Sequence, residues 1–148
     1  MTIVESTSPE QTFALGQAVG GKLVAGEIVL LTGGLGAGKT LMTKGILDAL
    51  GFDVDEVTSP SFTLVNLYKT DVFDVYHIDL WRLESREDVA TAVGLGEILD
   101  DPIAIAIIEW AERLGVFKRP NPTLHISISG DGDEPRQIHI TGDNLPKM

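Results

Sequence analysis

One stretch constrains the chain before any other. In GEIVLLTGGLGAGKTLMTKGILDAL, Gly26 to Leu50, an apolar run passes into a glycine-rich segment, a lysine, a threonine and then a run with helical spacing. Within it GGLGAGKT, from Gly33 to Thr40, fits G-x-x-x-x-G-K-[ST], and the flanking strand and helix patterns are the context this motif requires. Gly33, Gly36 and Gly38 let the backbone turn tightly and bring N–H groups toward phosphate oxygens, while the following helix adds its amino-terminal donors. Lys39 can neutralise β and γ phosphates, and the Thr40 hydroxyl can take one position on Mg²⁺. The cradle so read comprises Gly33, Gly34, Leu35, Gly36, Ala37, Gly38, Lys39 and Thr40, and its ligand is a nucleoside triphosphate. A glycine-rich turn with no ligand leaves the lysine and the hydroxyl unexplained. A dinucleotide fingerprint leaves the lysine unexplained too.

The flanks extend the pattern in both directions. TSPEQTFALGQAVGGKL opens with Ser8 as a helix cap, Pro9 at the first helical position and Gln11 three residues after the cap, followed by a stripe of Phe13, Leu15, Val19 and Leu23. KTLMTKGILDAL from Lys39 forms the next helix, stopped by Gly51. FDVDEVTSPSFTLVNLYKT is a loop with a strand beginning near Phe62. In VFDVYHIDLWRL, Phe73, Val75, His77 and Asp79 alternate with Asp74, Tyr76, Ile78 and Leu80, as in a strand. SREDVATAVGLGEIL supplies one broken or two short helices, capped at Ser85 with Asp88 three residues later. DPIAIAIIEW is apolar without alternation, which marks a strand buried on both faces of a helix-covered parallel sheet. A short helical piece, AERLGV, precedes TLHISIS and RQIHITG, which pair as an antiparallel hairpin around GDGDEP. The fold class is α/β, a P-loop NTPase-like three-layer fold with a mainly parallel central sheet and antiparallel additions. A length of 148 residues suits one domain, residues 1–148, better than two that would each approach the lower limit for independent burial.

Composition narrows the partners. Acidic residues number 22 against 11 basic ones, a formal charge of -11, and the cations are scattered instead of forming a stripe. Unaided capture of RNA or DNA is disfavoured, because such proteins show a basic footprint. A basic partner protein suits the same charge, as does plain solubility. With no cysteine, a disulfide framework, a thiolate metal cage and a cysteine nucleophile are all excluded. No apolar run has membrane-spanning length, and MTIVESTSPEQ lacks the basic-then-apolar order of a secretion signal. A cytoplasmic location with no membrane partner is expected.

Hydrolysis of a bound triphosphate calls for oxygen ligands to magnesium beyond Thr40 and for an acceptor that orients water. Glu109 closes IAIAIIE and so stands at the carboxyl edge of the sheet, where open α/β folds bind ligands. Asp79 ends the other strand, and His77 shares its face by the two-residue period. Either could touch the nucleotide or merely anchor the sheet edge, and Asp79 is the stronger site candidate of the two. TSPSFTLV adds hydroxyls at Ser59, Ser61 and Thr63, the first twenty residues beyond Lys39. In switching nucleotide hydrolases a loop so placed is ordered by γ-phosphate and magnesium, although a capped turn before a strand has the same composition.

Four stretches in order, GGLGAGKT, SPSFTLV, YHIDLWRL and IEWAER, resemble the bacterial TsaE/YjeE family of small P-loop ATPases and span nearly the whole chain up to its last two strands. The resemblance implies a weak magnesium-dependent ATPase, with ATP and Mg²⁺ as cofactors. It would join the TsaB and TsaD proteins in threonylcarbamoyl modification of adenosine in tRNA, meeting tRNA indirectly through those partners. By the same resemblance Lys39 and Thr40 would serve phosphate and magnesium, Glu109 would coordinate magnesium, and Asp79 would be the acid near metal or attacking water. Ser61 and Thr63 would belong to the nucleotide-sensitive loop, and Trp110 would support the site beside Glu109. The chain departs from the family pattern at Gly34, where an acid or amide is usual, at Ser61, commonly threonine, and at Trp81, where tyrosine is usual.

Other functions use the same cradle. A small-molecule or nucleoside kinase needs an acceptor pocket and commonly a basic lid. Arg82, Arg86, Arg113 and Arg119 are candidate cations, but they form no compact segment. A GTPase needs a base reader of the N-K-x-D type, and none is present. A nucleotide-regulated binding module needs only that its partner affinity depend on the γ-phosphate.

Overall fold

The computed structural model describes residues 2–34, 36–58, 60, 64–81, 94–114 and 121–142. Ten elements follow in chain order: β1 (Thr2–Ser6), α1 (Pro9–Gly20), β2 (Ile28–Gly33), α2 (Lys39–Ala49), β3 (Val65–Lys69), β4 (Asp74–Asp79), α3 (Leu95–Leu99), β5 (Ile105–Glu109), β6 (Thr123–Ser129) and β7 (Arg136–Gly142). Short 3-10 turns at Val54–Glu56 and Ala111–Leu114 complete the regular structure of the described residues. The strands form one seven-stranded sheet in the order β1-β7-β6-β2-β5-β4-β3. Its centre is parallel, β6 with β2, β2 with β5 and β5 with β4, and antiparallel pairs close both sides. Helices α1 and α2 cover one face and α3 the other, the three-layer arrangement of a P-loop NTPase.

The centre of the sheet follows from the apolar runs. Every residue of β5 is buried, as expected for a strand with a packed layer on each side. Ile105 and Ile107 enter the core under α1 and α2 with Val29, Leu31, Met42, Ile46 and Leu47. Ala106 and Ile108 enter the opposite core with Ile28, Ile78, Leu80, Leu95 and Leu99. Each large apolar side chain so buried contributes about 1.5–3 kcal/mol before the entropy of ordering it.

Ser8 caps α1 as expected, its hydroxyl accepting from Gln11 N–H at 3.1 Å. The Gln11 amide reaches one residue further back than a standard capping box, accepting from Thr7 N–H at 2.7 Å. Helices α1 and α2 meet through glycines: a Cβ on Gly45 would lie 2.3 Å from the Phe13 carbonyl oxygen, and one on Gly16 would lie 2.5 Å from that of Met42. This backbone-to-backbone approach tolerates no side chain.

One strand is new and one expectation changes. Thr2–Ser6 is a strand, paired antiparallel with β7 from Thr2 opposite Ile140 to Ser6 opposite Arg136, and it extends the sheet beyond the terminal hairpin. The strand sought near Phe62 starts at Val65, after Leu64 takes a left-handed φ of 69° that re-aims the chain. Phe62 lies outside the described residues, as do Leu35, Ser59, Ser61, Thr63, the helix start at Ser85 and Asp88, and the cations Arg82, Arg86 and Arg119. Among the described residues, no helix is long and apolar enough to cross a membrane.

Candidate functional site

The loop from Gly33 to Thr40 leaves the carboxyl end of β2, at the sheet's centre, and enters α2. Gly38 is the helix cap at φ 115°, a conformation that a side chain would strain, and Lys39 and Thr40 are the first helical residues. Strand β5 ends beside this loop because it pairs in parallel with β2, Leu31 opposite Glu109. Strand β4 ends at the same level, Asp79 opposite Glu109. Three strand ends therefore converge on one edge, and the fold brings Lys39, Thr40, Asp79 and Glu109 together from separate parts of the chain.

Lys39, Asp79 and Glu109 are buried and Thr40 is half-buried, and the side chains are largely paired. Thr40 Oγ1 donates to Glu109 Oε1 at 3.2 Å, and Glu109 is only 2 % exposed. The other carboxylate oxygen, Oε2, accepts from His77 Nε2–H; His77 is fully buried. His77 Nδ1 faces the Tyr68 hydroxyl at 3.4 Å. Asp79 Oδ1 accepts from the Trp81 backbone N–H at 2.9 Å, which curls the chain at the strand end. Lys39 Nζ donates to the carbonyls of Gly33 and Gly34, each at 2.8 Å, and lies 4.1 Å from the centroid of the Trp110 ring. Burial pushes the Lys39 ammonium below its ordinary pKa, while the charges of Glu109, Glu112 and Asp79 act in the opposite sense.

Trp110 reaches its position through a left-handed φ of 58°, uncommon for a bulky residue, immediately after Glu109. The turn lays its ring beside Lys39 and against Trp81, with ring centroids 4.6 Å apart. Trp81 thus fills its position by packing its ring, tilted by 44°, against Trp110. At Gly34, the other visible departure from the family pattern, a Cβ would meet nothing within 4 Å, so the absence of a side chain there is not dictated by packing.

The oxygen donors suit a hard cation better than a soft one. Among the described residues, no group of three or more His, Cys, Asp or Glu could hold a metal ion. Magnesium does not need such a cage, since it is commonly held by one or two protein oxygens together with substrate phosphates and water. Thr40 Oγ1 and Glu109 Oε1, side by side at the mouth of the cradle, fit that demand.

Comparison with known proteins decides the lineage. The family model described as "Threonylcarbamoyl adenosine biosynthesis protein TsaE" matches residues 6–138. The chain belongs to the TsaE family. It is 34% identical over 145 residues to the tRNA threonylcarbamoyladenosine biosynthesis protein TsaE of Nostoc sp. (strain PCC 7120), covering 97% of this chain and 88% of that one. The Treponema pallidum (strain Nichols) protein of the same name is 37% identical over 135 residues, covering 91% and 96%. The crystal structure of Bacillus subtilis YdiB superposes with a TM-score of 0.72 at 30% identity, covering 95% of this chain and 84% of that one.

Around this TsaE-family cradle stand residues that the sequence did not single out. Glu112 Oε2 accepts from Gly33 N–H at 3.4 Å. Arg136, at the start of β7, donates to the carbonyls of Ala37 at 3.1 Å and Gly36 at 3.3 Å, tying the glycine loop to the terminal hairpin. Beside it a cleft of about 310 Å³ opens between the start of α1, the glycine loop and the hairpin turn. Tyr68 carries the hydroxyl that meets His77. Each contact joins residues distant in the chain, and only Glu112, three residues beyond Glu109, had a positional signal.

Proposed function

We propose that this TsaE-family chain, one cytoplasmic domain over residues 1–148, binds ATP with Mg²⁺ in the Gly33–Thr40 cradle and hydrolyses it slowly. In doing so it would serve TsaB and TsaD in threonylcarbamoyl modification of adenosine in tRNA. The observation that carries the chemical half is the pairing of Thr40 Oγ1 with Glu109 Oε1 at 3.2 Å, where a P-loop meets the end of a buried parallel strand. The family carries the biological half.

The roles divide by chemistry. Backbone N–H groups of the glycine loop and the start of α2 bind phosphate oxygens. Lys39 moves from its own loop carbonyls to the β and γ phosphates, exchanging two neutral acceptors for charged ones. Thr40 and Glu109 hold the metal. Magnesium, when bound, neutralises the charge on the β and γ oxygens. Asp79, level with Glu109, accepts a hydrogen bond from the attacking water. Ser61 and Thr63 retain their assignment to the nucleotide-sensitive loop on the motif alone. The acidity of the chain, -11, suits a protein that meets tRNA through its partners.

Reconstitution tests this. TsaB, TsaD, tRNA and preformed threonylcarbamoyl donor are combined with no addition, wild type or Glu109→Gln, and modified tRNA is followed past one enzyme equivalent. Wild type should bind the partners and extend product formation, and the variant should not sustain it. Failure of wild type to do either sinks the pathway assignment even if ATP is hydrolysed. A phosphorylated small acceptor formed in step with ATP loss would favour the kinase reading.

A further inference from the structure

A line of polar contacts crosses the core beneath α1 and α2. It begins at Thr40 Oγ1 and Glu109 Oε1, passes from Glu109 Oε2 to His77, and reaches the Tyr68 hydroxyl. There it ends on the backbone of Thr58, whose N–H donates to the Tyr68 hydroxyl at 3.2 Å. The hydroxyl's single proton has two acceptors in reach, His77 Nδ1 at 3.4 Å and the Thr58 carbonyl at 2.8 Å, and in the line it serves His77. Asn66 Nδ2 fixes the same corner, donating to the Thr58 carbonyl at 3.3 Å and to its hydroxyl at 3.1 Å. The register accounts for the line. Asn66 lies opposite His77 and Tyr68 opposite Val75, so all four share the face to which Glu109 and Asp79 also belong.

The position of these groups is costly without a role. His77, Tyr68 and Glu109 are 0%, 6% and 2% exposed within a face otherwise filled by Val75, Ile105, Ile107 and Val29. A buried carboxylate, imidazole and phenol there are each tolerated only because the next one satisfies it, whereas apolar side chains of similar volume would pack with no such condition. The line also gives Glu109 what a ligand-facing carboxylate needs. Because Oε2 only accepts, His77 must present Nε2–H to it, and this bond sets the carboxylate's rotation so that Oε1 faces Thr40. His77 Nδ1, then the acceptor, is held by the Tyr68 O–H, and the Tyr68 oxygen by the Thr58 backbone N–H outside the cradle. Packing of the Tyr68 ring against Phe52, with centroids 4.9 Å apart, accounts for the ring but not for the hydroxyl.

We propose that His77 and Tyr68 are positioning residues: anchored on Thr58, they orient the Glu109 carboxylate toward Thr40. The role in hydrolysis rests on the function proposed above, while the coupling of Tyr68 to Glu109 through His77 does not.

The test has two arms. In the ligand-free protein, Tyr68→Phe and Glu109→Met are combined in a double-mutant cycle of urea unfolding, since Phe removes only the hydroxyl and Met removes the acceptor oxygens at similar volume. Residues with no shared partner add, so independence predicts equal effects of Tyr68→Phe in either background. The relay predicts that its effect on the unfolding constant differs at least about threefold between backgrounds, and that the difference vanishes when His77 is replaced by Phe. Additive effects overturn the relay. In the second arm, Tyr68→Phe should lower turnover at saturating ATP and magnesium about tenfold while leaving nucleotide affinity near wild type, the scale typical of residues that orient a metal ligand. Unchanged turnover, or a loss confined to affinity, overturns the positioning role. Should wild type not bind ATP at all, the proposed function fails, and the cycle still decides whether Tyr68 acts on Glu109.

Discussion

Lys39 and Trp110 meet as cation and ring face: the ammonium lies 4.1 Å from the ring centroid while donating at 2.8 Å to the carbonyls of Gly33 and Gly34. The lysine of the motif is thus satisfied by its own loop and by an aromatic surface, both neutral. A triphosphate bound as proposed would supply charged acceptors and should draw it away.

That exchange should be visible in tryptophan emission. Titration of ATP with magnesium into wild type should shift the emission, because the ammonium leaves Trp110, and the shift should persist in Trp81→Phe. In Lys39→Met the shift should be lost and affinity should fall by about 1.5–3 kcal/mol, roughly tenfold to a hundredfold, the range for a hydrogen bond to a charged group. The fold rests on the apolar layers, so its circular dichroism should not change. Wild-type affinity in a folded Lys39→Met would remove Lys39 from the site.

Burial also gives Lys39 a pH signature. Its folded pKa lies below the ordinary 10.5, desolvation outweighing the favourable charges of Glu109, Glu112 and Asp79. Between the folded pKa and 10.5 the unfolded chain binds more protons at this position, so stability rises with pH across that window. Below it this group adds no pH dependence. Urea midpoints of ligand-free wild type should therefore rise relative to those of Lys39→Met as the pH approaches 10.5. No relative rise of wild type below 10.5 would show that the surrounding acids dominate.

Much of this was legible because it is local. Strand, glycine loop and helix occupy contiguous residues, and the unbroken apolar run of β5 delivers Glu109 to the carboxyl edge by topology alone. Other parts were not, because their cause lies far along the chain. Thr2–Ser6 has no cap or turn signal to mark it and becomes a strand only where β7 offers it Ile138 and Ile140 as neighbours. Arg136 holds the glycine loop across 99 residues, and no pattern in RQIHITG announces it. His77 was read as a residue that either touches the site or anchors the sheet; its bond to Glu109 needs the parallel register of β4 and β5, which the spacing of two strands cannot supply.

The helix pair carries a prediction on stability. A methyl group on Gly45 would meet the Phe13 carbonyl oxygen at 2.3 Å and the Gly16 Cα at 2.9 Å, both backbone atoms of α1 that cannot rotate away. Gly45→Ala should cost about 1–3 kcal/mol through overpacking, only partly offset by about 1 kcal/mol of helix propensity. Gly21→Ala is the control: its Cβ would have only ordinary contacts, the nearest at 3.6 Å, and the backbone sits at φ -68°. It should be neutral or stabilising by about 0.4–1 kcal/mol. Equal thermal midpoints for the two variants would refute close helix contact.

Glu109→Gln separates binding from hydrolysis. The amide keeps the size of the carboxylate, can still accept from His77 or Thr40, and leaves the phosphate donors of the loop untouched. What is lost is the anionic oxygen beside Thr40 on which the proposed metal site relies. Nucleotide affinity should stay within several-fold of wild type, whereas single-turnover hydrolysis should fall about a hundredfold, with raised magnesium restoring only part of the rate. Removing a buried charge also relieves its desolvation, so the variant should unfold no earlier than wild type by more than about 1 kcal/mol. Loss of activity through a damaged fold would appear as an early thermal transition and is thereby told apart from loss of the ligand. Measuring single-turnover ATP hydrolysis across a magnesium series decides the matter, and a wild-type rate with wild-type metal dependence would exclude Glu109 from the metal site.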